Sequence, residues 1–320
     1  MKNKAYPLTL SECIDKILGT DSAVVAMHIR PDGDTVGTSV ALCRIFEAMG
    51  KKAELASADR IPERLRFLTE DVSFTEDYAG KTVITCDVAS AAQLGVLYEK
   101  LPKIDFSIDH HAVSAPFAPH FTLGDKSSAA EVVYCVLKEL VSRGALSVTE
   151  QIAYPLYAAM SSDTGGFVYS SATADTYRAA AELIECGIDY ADINHRLFYS
   201  KSEKQIKAEG FVAQRLVSLG NIAYAAITVR DREQLGIEAE HFDTAIDVVR
   251  SLIGVETAFT LKELDRGKYR VSLRSTGMDV ARVAAKFGGG GHVRAAGCTV
   301  EAESPDAAAK LIISEITCKQ

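Results

Sequence analysis

The feature that most constrains the fold is the alternation of short apolar segments with helical ones in the first half of the chain. Residues 22–29 (SAVVAMHI), 81–88 (KTVITCDV) and 103–111 (KIDFSIDHH) have the pattern of strands that are apolar on both faces. Such strands need cover on both sides. The alternation therefore predicts an α/β domain in which a largely parallel sheet is flanked by helices.

The pattern resets after a mostly polar helical segment at 202–220, where new strands and helices begin. A chain of 320 residues is also longer than one hydrophobic core usually serves. We therefore expect a first domain at 1–195, a helical linker at 196–220, and a smaller α/β domain at 221–320 that faces the first across a cleft.

Charge and composition narrow the classes of partner. The net charge is −8, so the chain lacks the basic footprint of proteins that grip long nucleic acid, and long duplexes are not expected as partners. No apolar run approaches the length of a membrane span, and the start lacks the apolar core of a signal peptide. We expect a cytoplasmic protein with no membrane partner, and the sequence leaves open whether it forms a homodimer.

Acidic and histidine residues recur where the predicted elements of the first domain end. Three of these groups follow strands, whose carboxyl ends meet at one edge of an open α/β sheet. The fourth follows a helix. The members are His28, Asp32 and Asp34; Asp87; Asp109, His110 and His111; and Asp163. Gly33 is expected to let the backbone turn between the first two aspartates.

Four carboxylates at such close quarters would repel one another unless cations neutralised them. Two divalent ions balance the four negative charges, which come from Asp32, Asp34, Asp87 and Asp163. Mixed imidazole and carboxylate ligands suit Mn²⁺, Fe²⁺, Co²⁺ or Zn²⁺ better than Mg²⁺. Two divalent metal ions, with Mn²⁺ as first choice, are therefore the expected cofactors. Taken singly, Asp87 could instead be a helix cap, and Asp163 part of a turn.

Five motifs in order resemble those of a known family. HIRPDGDTVGTS, TCDV, IDHH and SSDTG resemble the four motifs of the DHH phosphoesterases, and FGGGGHVRAAG resembles the signature of the DHHA1 domain. The combination is similar to a bacterial subfamily of nano-RNases that are also 3′-phosphoadenosine 5′-phosphate (pAp) phosphatases.

This resemblance implies a role for each of the acidic and histidine residues named above. His28 and Asp32 would hold one metal, and Asp34, His110 and Asp163 the other, with Asp87 as the bridge. His111 would be catalytic and face the scissile phosphate, while Asp109 would orient the histidines.

The glycine-rich stretch of the second domain is the other candidate site. Four glycines followed by His292 and Arg294 would let backbone N–H groups approach an anion. By resemblance, this stretch and the end of the preceding strand hold the part of the substrate remote from the metals. The implied substrate-binding residues are Arg274, Ser275, Gly288, Gly289, Gly290, Gly291, His292 and Arg294.

The resemblance implies a hydrolase that cleaves short single-stranded RNA, dinucleotides and pAp by two-metal hydroxide attack. A phosphodiesterase for linear or cyclic dinucleotides (pApA or cyclic di-AMP) remains an alternative. Inorganic pyrophosphatase fits less well, because pyrophosphate has no nucleoside for the second domain to hold. A nucleotide sensor without turnover is the alternative outside the enzymes.

Overall fold

The computed structural model describes residues 4–318, and the side chain of His292 lies outside this description. The chain divides into two compact units, Met1–Ser200 and Lys201–Gln320. This division falls within the segment 196–220, whose role as a linker stays a prediction.

The first unit contains a five-stranded sheet in the order β2-β1-β3-β4-β5, in which every pair is parallel. The strands are β1 (Ser22–Ala26), β2 (Lys52–Ala56), β3 (Thr82–Cys86), β4 (Phe106–Asp109) and β5 (His120–Thr122). The helices are α1 (Leu10–Leu18), α2 (Gly33–Ala48), α3 (Leu97–Lys100), α4 (Ala129–Ser142), α5 (Glu150–Asp163), α6 (Ala174–Glu185) and α7 (Tyr190–Asn194). Short 3₁₀ turns span Glu63–Leu68 and Ala91–Leu94, and a π turn spans His195–Tyr199.

Both faces of this sheet are buried, as the apolar strands predicted. Ala23 and Val25 of β1 belong to the apolar cluster that includes residues of α1, α2, α4 and α5. The alternate residues Val24 and Ala26 belong to a second cluster, with Leu94 and Leu97 on the opposite face. The expectation of a parallel sheet flanked by helices is confirmed.

Close backbone packing joins α2 to α5. A Cβ on Gly37 would lie 2.6 Å from the carbonyl oxygen of Pro155, and a Cβ on Gly33 would lie 2.1 Å from Oγ of Ser162. No side chain larger than hydrogen fits at either position, so the beginning of α2 lies against the end of α5. Gly33 was expected to allow a turn in the backbone, and this reason was wrong, because its backbone is not left-handed. The glycine is needed instead for the close approach of α5.

The second unit contains a mixed six-stranded sheet in the order β10-β11-β9-β8-β7-β6. Only β7 and β8 pair in parallel among its described strands. The strands are β6 (Val217–Leu219), β7 (Ile222–Ile227), β8 (Thr257–Asp265), β9 (Lys268–Ser275), β10 (Gly290–His292) and β11 (Ala295–Glu301). The helices are α8 (Glu203–Gln214), α9 (Val229–Leu235), α10 (Ile246–Arg250), α11 (Val280–Lys286) and α12 (Pro305–Thr317), with a 3₁₀ turn at Ala239–Phe242.

The helix predicted over 202–220 is shorter in the structure. It ends at Gln214, and the following residues form β6, which pairs antiparallel with β7. Ala208 and Val212 of α8 are buried in the apolar cluster of the second unit, so the helix belongs to that unit by its packing. None of the helices between residues 4 and 318 is both long and apolar enough to cross a membrane.

Candidate metal and active site

The corner after β1 presents the first three candidate residues. Asp32 caps α2, and its Oδ1 accepts the backbone N–H groups of Asp34 and Thr35, each at 3.1 Å. The Nδ1 of His28 lies 2.8 Å from the carbonyl oxygen of Ile29, which can only accept. Nδ1 therefore carries a hydrogen, and the Nε2 of a neutral ring is left as an electron-pair donor.

Asp34 is buried and firmly held. Its Oδ1 accepts the hydroxyl of Thr38 at 2.9 Å and the N–H of Ala130 at 3.1 Å. Its Oδ2 accepts the N–H of Ala129 at 2.7 Å. The last two donors lie at the beginning of α4, where unpaired N–H groups favour an anion. This support was not predicted from the sequence, although Ser128 and Glu131 have the spacing that is typical of the beginning of a helix.

Asp87 lies between the histidines at the end of β3. Its Oδ2 is 3.4 Å from Nε2 of His28, and its Oδ1 is 3.5 Å from Nε2 of His110 and 3.6 Å from Nδ1 of His111. The backbone is left-handed, with φ of 60°, a conformation that aspartate and asparagine tolerate better than most residues. Oδ1 is buried and makes no hydrogen bond within the described part of the chain.

The two histidines after β4 are oriented by different groups. Oδ1 of Asp109 accepts Nδ1 of His111 at 2.6 Å and the backbone N–H of His110 at 2.8 Å. The ring of His110 is instead held by the carbonyl oxygen of Lys126, which lies 3.2 Å from Nδ1. Asp109 was expected to orient both histidines. The contact of His110 with Lys126 has no sequence signal, because it is made by the backbone of Lys126.

Asp163 completes the cluster from the end of α5. Its Oδ2 lies 3.8 Å from Nε2 of His110, which is also 3.8 Å from Oδ2 of Asp34. The close packing of α2 and α5 brings these carboxylates together, because Asp34 is in the first turn of one helix and Asp163 in the last turn of the other.

Three groups of side chains have ligand atoms within 4.8 Å of one another: His28, Asp32 and Asp87; Asp34, His110 and Asp163; and Asp87, His110 and His111. The cluster contains all six residues that the sequence analysis assigned to metals. The nitrogen and oxygen donors, and the buried Oδ1 of Asp87 without a hydrogen bond, fit a site for divalent cations. Asp87 and His110 each belong to two of these three groups.

Charge crowding shifts the pKa values of the cluster in opposite directions. Burial and the charge of Asp87 raise the pKa of Asp34 to about 7. Burial and the charge of Asp34 also raise the pKa of Asp163. Burial opposes the charge on His28 and His110, yet the contacts of His28 with Asp32 and Asp87, and of His110 with Asp87, prevail, so both pKa values rise to about 11. A divalent cation that binds to this cluster would therefore have to displace protons from it.

The candidate residues of the second unit lie together at one end of its sheet. Arg274 of β9 is the register partner of Ala295, and the N–H of Ser275 donates to the carbonyl oxygen of Arg294 at 3.0 Å. Nη1 of Arg274 donates to the carbonyl of Leu273 at 2.9 Å, and Nη1 of Arg294 to that of Met278 at 3.2 Å. The prediction for the side chain of His292 falls outside the described residues.

The glycine-rich stretch forms a strand as well as a loop. Gly290–His292 pairs antiparallel with β11, and close packing explains two of the four glycines. A Cβ on Gly289 would lie 2.2 Å from the carbonyl oxygen of Gly297, and a Cβ on Gly291 would lie 2.5 Å from that of Ala295. By contrast, a Cβ on Gly290 would meet nothing within 4 Å, so its backbone is open to approach.

Comparison with known proteins gives a consistent assignment. The model of the DHH family, N-terminal domain, matches residues 22–160, and that of the DHHA1 domain matches 219–317. The chain is 29% identical to the bifunctional oligoribonuclease and PAP phosphatase NrnA of Thermus thermophilus, over 91% of this chain and 88% of that protein. It is 27% identical to the NrnA of Bacillus subtilis, over 97% and 99% of the two chains.

A solved structure supports the fold. An exopolyphosphatase-related protein from Bacteroides fragilis superposes with a TM-score of 0.85 at 22% identity, covering 95% of each chain. The two family models together cover roughly three quarters of the sequence, and their matches lie in the two units of the structure. The chain belongs to the DHH family of phosphoesterases and carries a DHHA1 domain.

Proposed function

We propose that this protein hydrolyses short oligoribonucleotides to mononucleotides and pAp to AMP, with two divalent cations for which Mn²⁺ is the best-suited ion. The relatives named as oligoribonucleases and PAP phosphatases support this substrate class. The mixed imidazole and carboxylate donors support the metal.

The position of Asp87 is the observation that carries the proposal. Its two oxygens face different histidines, His28 on one side and His110 on the other. Each histidine belongs to a separate group of ligands. A carboxylate in this position is suited to bridge two ions, one held with His28 and Asp32 and the other with Asp34, His110 and Asp163.

When bound, a pair of divalent ions supplies a strong nucleophile from water at neutral pH and neutralises charge on the phosphoryl oxygens. The chain itself supplies the proton donor. Asp109 fixes the tautomer of His111 through Nδ1. Although burial lowers the pKa of His111, the hydrogen bond that it donates to Asp109 outweighs burial, and the pKa is raised. His111 can therefore hold a proton at Nε2 near neutral pH and donate it to a leaving or non-bridging oxygen.

We also propose that the glycine-rich segment and the end of β9 bind the part of the substrate that is remote from the metals. Arginine binds phosphate through a planar fork, and an open glycine backbone accepts close approach of an anion. The residues proposed for this role are Arg274, Ser275, Gly288, Gly289, Gly290, Gly291, His292 and Arg294.

A panel assay with Mn²⁺ tests the substrate class. The substrates are RNA of 2, 5 and 24 nucleotides, pAp, pApA, cyclic di-AMP and pyrophosphate, in one buffer and salt. We expect the highest kcat/KM for RNA of two to about five nucleotides, since the acidic chain offers no extended basic track for a longer strand. Equal rates for the 24-mer and the dimer would identify a general exonuclease, and preference for cyclic di-AMP or pyrophosphate would contradict the proposal.

A variant of the second domain tests the nucleoside contacts. Arg294→Ala should raise KM for the RNA dimer with little change in the hydrolysis of bis-p-nitrophenyl phosphate, which lacks a nucleoside. A matched control is Arg266→Ala in the same unit, which removes the same charge from the turn between β8 and β9. Equal losses on both substrates would show that Arg294 acts on the fold and not on nucleoside binding.

A further inference from the structure

A surface cavity that is open to solvent lies outside the metal cluster, in the first unit. Its volume is about 430 Å³, within the range of small-molecule sites. Its lining includes Ser57, Arg60, Arg66, Thr69 and Phe74, none of which belongs to the candidate site described above. The family resemblance assigned no function to the segment 57–75.

The position of the cavity relates it to the metal cluster. The segment that forms it follows β2, and β2 is the direct neighbour of β1, whose carboxyl end leads to His28. Neighbouring strands are about 4.8 Å apart. The backbone N–H of Arg30 donates to Oδ2 of Asp59 at 2.7 Å, which ties the corner carrying His28 to the wall of the cavity. The cavity is therefore one strand away from the metal cluster at the same edge of the sheet.

The charges of the cavity suit an anion. Arg60 and Arg66 are exposed, and within residues 4–318 neither of them forms an ion pair. Asp59 also lines the cavity, and one of its oxygens is taken up by the N–H of Arg30. The balance is one net positive charge in a chain whose overall charge is −8. Two arginines with unused forks are a favourable arrangement for a phosphate.

An aromatic ring completes the set of groups that a nucleotide requires. Phe74 is 46% exposed and contributes to the wall of the cavity. Exposed aromatic rings bind nucleobases by stacking, without selecting a particular base. The remaining oxygen of Asp59 can accept a ribose hydroxyl, a contact that distinguishes RNA from DNA.

We propose that this cavity is a subsite for a ribonucleotide that flanks the scissile bond, with Arg60 and Arg66 on its phosphate and Phe74 on its base. The inference rests on the proposed oligoribonuclease function and adds a determinant of substrate length. An RNA dimer without terminal phosphates has a single phosphate, which the metal cluster occupies. A trimer or pentamer has further phosphates, so only these longer substrates gain from the two arginines.

The test is the double variant Arg60→Ala/Arg66→Ala. Its control is Lys138→Ala/Arg178→Ala, which removes the same charge from exposed positions of α4 and α6. We would measure kcat/KM for RNA of 2, 3 and 5 nucleotides without terminal phosphates, and for bis-p-nitrophenyl phosphate. Melting curves would show whether each variant is folded.

The double variant should lose about 10- to 100-fold in kcat/KM on the trimer and pentamer. On the dimer and on bis-p-nitrophenyl phosphate it should lose less than about threefold. The slope of log(1/KM) against log[salt] for the pentamer should also become shallower by about 0.7, the value for one neutralised phosphate on a single strand. Equal losses on dimer and pentamer, or no loss on either, would overturn the inference.

A binding measurement separates this inference from the proposed function. If the wild type cleaves no RNA, the proposed function fails. The cavity is then tested by the affinity of a phosphorothioate RNA trimer and dimer, measured by fluorescence anisotropy. A trimer that binds about 10-fold more tightly than the dimer to the wild type, but not to the double variant, supports the subsite. Equal affinities for the wild type and the double variant refute it.

Discussion

Replacing Asp87 with asparagine is the most direct test of the two-ion assignment. Asparagine keeps the size of the side chain and tolerates the left-handed backbone at φ of 60°, whereas alanine would add roughly 1 kcal/mol of backbone strain. The variant loses the charge that faces His28 and His110. If Asp87 bridges two ions, one substitution weakens both sites, and turnover on RNA should be abolished.

The expected size follows from ligand binding. Two ions at about 100 times their Kd stabilise the folded protein by about 2.7 kcal/mol each. A unit of 200 residues gains about 2–4 °C per kcal/mol, so Mn²⁺ should raise the Tm of the wild type by about 10–20 °C. Removing a residue that only hydrogen-bonds to a metal ligand lowers the affinity for the metal about 10- to 100-fold. Removing a bridging ligand itself should therefore lower the affinity for each ion at least about 100-fold. The shift would then fall to about 2–3 °C.

The assay is thermal unfolding of each protein in EDTA and in Mn²⁺, together with kcat on an RNA dimer. The shift is compared rather than the Tm itself, because Asp87 also interacts with the histidines when no ion is added. Asp21→Asn is the control, since it removes the same charge from an exposed position at the other end of β1. An Asp87→Asn variant with the wild-type shift and rate would refute the bridging role.

Two further outcomes follow from the geometry of the cluster. His110→Ala should lower the amount of bound Mn²⁺. His111→Ala should retain the metal and lose about 10²- to 10⁴-fold in kcat, since His111 is proposed as a proton donor. Metal analysis that shows loss of Mn²⁺ only in the His111 variant would reverse the two roles. The affinity for Mn²⁺ should increase as the pH rises from 6 to 8, because the raised pKa values of His28, His110 and Asp34 mean that an ion must displace protons. Calorimetry in buffers of different ionisation enthalpy should detect this proton release, and an affinity independent of pH would contradict it.

The sequence predicted the first domain well because each of its signals is local. Strands such as 81–88 are apolar on both faces, and the acidic and histidine residues directly follow them. The order of strands in the sheet then brings Asp87 close to His28 and His110 although they are far apart in sequence.

Contacts made by backbone between distant segments could not be predicted in this way. The carbonyl of Lys126 that holds His110, and the N–H groups of Ala129 and Ala130 that hold Asp34, depend on where α4 begins. The short strand β6 was read as part of a helix, since three residues are too few to show a period. The cavity beside β2 has no sequence motif, and it could not be predicted because Arg60 and Phe74 are brought to the same cavity only by the fold.

The contact between α2 and α5 implies that the spacing within the metal cluster is a property of the scaffold. At Gly37 the backbone of α2 lies directly against the backbone of α5 at Pro155 and Ala159, so no side-chain rotamer on α2 can adjust the separation of the two helices there. Asp34 and Asp163 project from the two ends that meet there, so their distance is set by how closely two backbones can approach. One methyl group added at Gly37 would push the two helices apart and so increase the distance between the two carboxylates.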